Sequence, residues 1–302
     1  MKLGFVGLGA MGKPMAKRLI GLGHDLFVYD VVKKAVEELV EDGAVMCSSP
    51  CEVAKATQLT FLSLPNSAIV IRVVSGIEGV LAGAAEGHTI IDLSSVDPNS
   101  TRMLAAEAKK KGIDYMDAPV SGGVSGAEAG SLTIMLGAPA TSVEKVLPIL
   151  SLLGKKIVHV GDVGAGDAVK IVNNLLLGAN MAALAEALVL GRIMGLEAEK
   201  MEKIIGQGSG KSYVLDAKMR NFIMKGNFQP GFAVNLQYKD LGLALDAARD
   251  SKMPLPMTSQ AIQLFEMARA RGYGDEDMSS VIKIWEELME IEVREEKVEA
   301  EK

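Results

Sequence analysis

Cysteine and histidine are scarce in this chain of 302 residues. It has two cysteines, Cys47 and Cys51, and three scattered histidines, His24, His88 and His159. The cysteines lie in CSSPC with no histidine close by, too few ligands for a metal centre. No metal is expected, and the pair reads as two reduced thiols. Long uncharged runs are also missing. None approaches the roughly 20 residues of a membrane span, although 49% of the residues are hydrophobic, so no membrane partner is expected. A strand pattern starts at residue 2, leaving no room for a secretory leader, and a cytoplasmic location is the expectation. The basic residues form no stripe and the net charge is −6, which argues against nucleic acid as a partner. Internal repeats and low-complexity segments are lacking too.

What is present is alternation. Short β-branched or aromatic runs fall at residues 2–6, 25–29, 59–62, 89–93, 114–117, 132–136 and 156–160. Helical patterns lie between most of them, at 11–22, 34–42 and 99–111 for example, the last opened by Asp97-Pro98 as a cap residue and a first-turn proline. Strand–helix alternation predicts a doubly wound, mostly parallel α/β sheet covered on both faces. The character changes after Gly161. A proline-free pattern rich in Ala, Leu, Val and Asn runs from about 165 to 194 and reads as one long helix joining two domains. Beyond it only helices are expected, at 198–206, 214–224, 236–248, 258–271 and 279–293, before a charged tail, EVREEKVEAEK. The expected division is 1–163 and 164–302.

The run GFVGLGAMGKPMAKRLI follows the first strand directly and places Gly7, Gly9 and Gly12 in G-x-G-x-x-G spacing. Such a motif means little alone. Here a strand precedes it, a helix follows it, and Asp30 ends the second strand 18 residues beyond Gly12. In a dinucleotide site the first glycine allows the tight turn and the second lets backbone N–H groups approach the pyrophosphate. The third lets the helix pack close to the strand. The pyrophosphate then sits at a helix N-terminus, where free amides and the dipole favour an anion. A carboxylate at Asp30 accepts from the ribose hydroxyls and repels a 2′-phosphate, so NAD is favoured over NADP. Lys33 and Lys34 lie close by and read as solvated residues of a helix start.

A dinucleotide domain needs a partner for the proton that accompanies hydride. Lys170, in GAGDAVKIVNN near the start of the long helix, is the candidate, with Asn174 one turn later on the same face. Its apolar neighbours Ala168, Val169, Ile171 and Val172 predict a mostly buried helix, where an ammonium could protonate a forming alkoxide. Asn173 points elsewhere and reads as structural. A second polar cluster, DAPVSGG from Asp117 to Gly123, ends a strand in Ser-Gly-Gly. Its backbone N–H groups could hold a carboxylate, or it could be an ordinary glycine turn.

Three segments together, FVGLGAMGKPMAKRL, DAPVSGG and GAGDAVKIVNN, resemble the β-hydroxyacid dehydrogenase family, and YKDLGLALD is similar to its Lys-Asp-Leu element. The likeness covers nearly the whole chain. It implies an N-terminal NAD-binding Rossmann domain, a long connecting helix, and an all-helical domain that completes the site and forms a homodimer or homotetramer. By the resemblance Lys170 is the catalytic acid/base and Asn174 orients the substrate, while Ser121, Gly122 and Gly123 anchor its carboxylate. The loop Gly7-Leu8-Gly9-Ala10-Met11-Gly12, Asp30, Leu64, Pro65 and Ser95 would contact the cofactor. Lys239, followed by Asp240, would reach cofactor and substrate from the helical domain. Val96-Asp97 after Ser95 departs from the usual threonine or isoleucine. Within the family, LPNSAIV, NFQPGFAVNLQYKDL, LPMTSQAI and SSVIKIWEELMEIEV are most similar to the tartronate semialdehyde reductase branch, which makes glycerate. The 3-hydroxyisobutyrate dehydrogenase branch is the alternative, followed by glyoxylate or succinic semialdehyde reduction. A non-catalytic dinucleotide-binding protein is the rival class. It could lose Lys170, Asn174 or Lys239, and all three are present.

Overall fold

The computed structural model describes residues 1–229 and 231–295. Of the charged closing segment, residues 296–302 lie outside the described residues. The chain divides into two compact units, Met1–Lys170 and Ile171–Lys302, so the first turn of the long helix belongs to the first unit.

Nine strands build the first unit: β1 (Lys2–Val6), β2 (Asp25–Tyr29), β3 (Val45–Met46), β4 (Leu59–Leu62), β5 (Thr89–Asp92), β6 (Asp114–Asp117), β7 (Val120–Ser121), β8 (Leu132–Gly137) and β9 (Gly154–Gly161). They form one sheet ordered β3-β2-β1-β4-β5-β6-β8-β7, with β9 pairing β8. The first six of these are parallel. Only β8 against β6 and β7 is antiparallel. The order 3-2-1-4-5-6 is that of the dinucleotide-binding fold, in which the chain winds outward in both directions from β1 and β4.

The sheet is buried on both faces because its strands are apolar at successive positions, not at alternate ones. Phe5, Phe61, Ile91 and Met116 lie side by side in register and join one core, with the Phe5 and Phe61 ring centroids 5.8 Å apart. Their neighbours Val6, Leu62, Ile90 and Tyr115 point the other way into a second core. Helix 98–109 starts as its sequence predicts, with the Asp97 carboxylate accepting from the N–H groups of Asn99 and Ser100 and Pro98 following. The two-residue strands β3 and β7 escape the sequence reading because neither is long enough to show a period.

The long helix spans Ala165–Ile193. It is long and apolar enough to cross a membrane, a property the uncharged-run criterion misses because Asp167, Lys170, Glu186 and Arg192 interrupt it. Half of its most apolar stretch is buried inside the protein, and its polar residues Asp167, Lys170 and Asn174 are buried as well. The mostly buried surroundings expected from Ala168, Val169, Ile171 and Val172 are found only in part: Ile171 is buried, Ala168 is half-buried, and Val169 and Val172 are exposed because they lie on the face of the helix turned away from Lys170 and Asn174.

The second unit is helical around one apolar core. Two of its helices differ from their sequence patterns. The segment expected at 214–224 is an α-helix only over Tyr213–Lys218, after which Met219–Ile223 widens into a π-turn. The last helix opens as a 3₁₀ turn, Met278–Val281, and closes at Met289 because Glu290 is left-handed (φ +52°). Glu286 holds that closure, its carboxylate accepting from the Val293 N–H and from Arg294.

Candidate active site

The glycine loop joins the carboxyl end of β1 to helix Gly12–Gly21, at the point where the winding of the sheet reverses and ligands of such sheets bind. Each glycine answers a different demand. Gly7 has φ +95°, and a Cβ there would lie 2.3 Å from the Ser63 carbonyl oxygen on the neighbouring strand end. A Cβ on Gly12 would lie 2.0 Å from the Gly7 carbonyl oxygen, so helix and loop touch backbone to backbone. At Gly9 an added Cβ meets nothing within 4 Å. Two of the glycines are thus required by the protein itself, and the third leaves room for something outside it.

Asp30 closes this cradle. One carboxylate oxygen accepts from the Leu8 N–H at 2.6 Å and the other from the Val32 N–H at 2.7 Å, which braces the loop against the end of β2. Each oxygen keeps lone-pair capacity for a ribose hydroxyl. The exposed residues beside it, Val31 and Val32, are apolar. On the neighbouring strand ends the Leu64 N–H donates to Ser94 Oγ at 2.9 Å, which ties the loop carrying Leu64 and Pro65 to the one carrying Ser95. An open face over Gly9, the start of a helix at Gly12 and a carboxylate at the end of β2 together fit a dinucleotide.

Lys170 does not extend to water. It is buried, and its Nζ donates to the Val120 carbonyl at 2.8 Å, one residue before Ser121-Gly122-Gly123. Gly122 and Gly123 have φ +135° and +67° and carry the backbone from β7 into the short helix Gly123–Ala129. The fold therefore brings Lys170 to the Ser-Gly-Gly element across 50 residues of sequence. Asn174 is buried one turn further along the helix. Its Nδ2 donates to Asp240 Oδ2 at 2.5 Å, and its Oδ1 accepts from Asn173 Nδ2 at 2.9 Å. Gln237 donates to the Asn174 carbonyl at 2.8 Å. The Lys239 ammonium lies 3.0 Å from Asp240 Oδ1. Asp240 and Gln237 carry no sequence signal beyond their place in the Lys-Asp-Leu helix, and Asn173, read as merely structural, contributes a hydrogen bond to the Asn174 amide.

Three buried aspartates under the strand ends also went unassigned. Asp117 accepts from the Gly164 N–H at 2.6 Å and the Asp167 N–H at 2.8 Å. Asp167 accepts from the Thr101 hydroxyl at 2.7 Å and the Val96 N–H at 3.3 Å. Asp92 accepts from the Tyr115 hydroxyl at 2.8 Å and the Ser94 N–H at 2.9 Å. Burial pushes the Asp117 carboxyl up, against the pull of its N–H donors. Burial and then the neighbouring Asp117 charge push Asp167 well above the usual range. The Tyr115 phenol is likewise raised, by burial first and by Asp92 second. Among the described residues no group of three or more His, Cys, Asp or Glu is arranged to hold a metal ion.

A glycine loop at the winding reversal with room for a dinucleotide, and a buried lysine beside a Ser-Gly-Gly turn, fit a pyridine-nucleotide oxidoreductase. Two family profiles agree. Residues 2–161 match the NAD-binding domain of 6-phosphogluconate dehydrogenase, and residues 164–285 match the NAD-binding domain of NADP-dependent 3-hydroxyisobutyrate dehydrogenase. The 2-(hydroxymethyl)glutarate dehydrogenase of Eubacterium barkeri is 56% identical over 293 residues, 97% of either chain. The mitochondrial 3-hydroxyisobutyrate dehydrogenase of Bos taurus is 40% identical over 94% of this chain and 87% of that protein. A solved Mycobacterium tuberculosis 3-hydroxyisobutyrate dehydrogenase with L-serine superposes with a TM-score of 0.86 at 32% identity, covering 94% of this chain and 98% of that one. The chain belongs to the β-hydroxyacid dehydrogenase family, whose members are NAD(P)-dependent enzymes acting on CH–OH groups.

Because a methyl on Gly9 meets no protein atom, Gly9→Ala should unfold within about a degree of the parent. Its NADH affinity should nevertheless fall by about tenfold or more, since the methyl occupies the approach to the pyrophosphate. Unchanged NADH affinity in a fluorescence titration would place the nucleotide elsewhere.

Proposed function

We propose that the protein is an NAD-dependent dehydrogenase that interconverts a small 3-hydroxy acid and its semialdehyde, with Lys170 as the acid/base group. One observation carries this reading: a buried ammonium 2.8 Å from Val120 O, beside the Ser-Gly-Gly turn. NAD, when bound, supplies hydride exchange at its nicotinamide. Everything else falls to the chain. In reduction Lys170 Nζ gives a proton to the oxygen that gains negative charge; in oxidation the neutral amine takes the proton of the substrate hydroxyl. Ser121 and the backbone N–H groups of Gly122 and Gly123 hold the carboxylate. Asn174, oriented by Asp240 and Asn173, holds the hydroxyl in place. Burial of Lys170 keeps water from competing for its proton.

The relatives' substrates narrow the substrate class. In 2-(hydroxymethyl)glutarate and 3-hydroxyisobutyrate a CH₂OH group sits on the carbon that bears the carboxylate. They differ only in the remaining substituent, a carboxyethyl arm or a methyl. Tartronate semialdehyde and glycerate carry a hydroxyl there. The 56% identity supports the carboxyethyl arm, giving 2-(hydroxymethyl)glutarate and its semialdehyde. The motif likeness supports the hydroxyl, and this is the second reading. A pocket separates the near-isosteric methyl and hydroxyl by only about 1–3 kcal/mol, whereas the carboxyethyl arm is larger and charged, so a panel of these acids ranks them directly. With NADH and NADPH compared in the same panel, NADH should give the higher kcat/KM, because Asp30 repels a 2′-phosphate and Val31 and Val32 offer it no cation. A clear preference for NADPH would reverse this and point to Lys33 or Lys34.

A homodimer or homotetramer is part of this reading. It is supported by the exposed apolar residues Val169, Val172, Leu176, Leu190 and Ile193 along the long helix. Sedimentation as a monomer at micromolar concentration would remove it.

Lys170→Ala should keep NADH affinity while kcat falls by about a hundredfold or more. Lys170→Arg should fail nearly as badly, since a guanidinium does not release its proton. Turnover of Lys170→Ala within a few-fold of the parent would shift the role of proton donor to Lys239.

A further inference from the structure

The bond from Lys170 to Val120 is held at both of its ends by one carboxylate. Asp117 ends β6, three residues before Val120, and accepts from the N–H groups of Gly164 and Asp167 at the start of helix Ala165–Ile193. Lys170 follows Asp167 by three residues, less than one turn of the same helix. The fold clears space for this carboxylate. A Cβ on Gly137, the register partner of Asp117, would lie 2.4 Å from Asp117 Oδ1. A Cβ on Gly166 would lie 2.8 Å from Oδ2 and 2.3 Å from the Met135 carbonyl. Asp117 itself is wholly buried. Asp167 extends the link to Val96, beside Ser95, and to Thr101.

We propose that Asp117 is a positioning residue for the reaction: by joining the end of β6 to the first turn of the long helix, it sets the place of the Lys170 ammonium relative to the Ser121-Gly122-Gly123 turn. It touches neither substrate nor cofactor and acts through Lys170. The inference rests on the reading of Lys170 as the acid/base group.

Asp117→Asn is nearly isosteric but turns one accepting oxygen into an NH₂ donor, which must face the N–H of Gly164 or of Asp167. The helix start then shifts. A displacement of about 1 Å costs up to about 100-fold in rate, so kcat should fall by about 10- to 100-fold, with NADH affinity within a few-fold of the parent. The decisive measurement is a double-variant cycle. If Asp117 acts through Lys170, adding Asp117→Asn to Lys170→Ala should slow turnover by no more than about twofold. A general loss of structure would instead multiply the two defects. Gly166→Ala keeps the carboxylate but crowds both the Met135 carbonyl and Asp117 Oδ2, displacing the helix start from the strand ends, and should repeat the pattern of low kcat with retained NADH binding.

Multiplicative losses in the cycle, or Asp117→Asn turnover within a few-fold of the parent, would overturn the proposal. So would loss of NADH binding in both the Asp117 and Gly166 variants, which would make Asp117 a determinant of the fold as a whole. An active Lys170→Ala would overturn the reading of Lys170 and this inference with it. An inactive Lys170→Ala with multiplicative losses would overturn only this inference.

Discussion

A carboxylate out of reach of water, taking two backbone N–H groups at the start of a helix, is the constraint on which the candidate site depends. Asp117 stands where β6 ends, and the helix it caps carries Lys170 and then Asn174. An N-terminal turn has free N–H groups and a positive dipole end, so a carboxylate there meets both needs at once. The cost is desolvation, which shows in the raised proton affinity of Asp117 and, more strongly, of Asp167. Such a cost is sustained only where the surrounding backbone is close, and Gly137 and Gly166 bring it close.

The same device recurs with a different purpose at the nucleotide cradle. Asp30 accepts from Leu8 and Val32 and so fixes a loop whose glycines serve two masters. Gly7 and Gly12 satisfy the packing of strand, loop and helix, while Gly9 faces open space. Both halves of the first unit thus use a strand-end aspartate to hold the start of a helix or its approach. The two aspartates differ in what else they reach: Asp30 braces the loop and keeps lone-pair capacity for a ribose hydroxyl, whereas Asp117 is wholly buried and only braces. In the second unit Asp240 orients the Asn174 amide, and Gln237 secures its carbonyl.

Much of this was legible in the chain. The seven longer strands, the proline-capped helix after Asp97 and the long helix all declare themselves by period and by punctuation. Lys170 declares itself as a charge in an apolar helix. Two-residue β3 and β7 do not, since two residues show no period, and they take their form from the strands beside them. Nor does the π-turn at Met219–Ile223, where the residues alone favour an ordinary helix. The early end of the last helix at Met289 depends on the Glu286 carboxylate meeting residues seven and eight positions later.

Sequence by itself determined the class of fold, the nucleotide loop and the candidate lysine, because each rests on local chemistry: a glycine that must turn, a carboxylate at a strand end, an apolar face with one charge on it. Tertiary structure decided what those residues meet. That Lys170 would give its proton-bearing nitrogen to Val120, that Asp117 would hold both, and that Asp240 would orient Asn174 are contacts across 47 to 66 positions of chain. No period or spacing records them. The contacts of Lys170 and Asp117 exist because β6, β7 and the start of the long helix meet at one end of the sheet, and that of Asn174 exists because the long helix packs against helix Val234–Asp250 in the second unit.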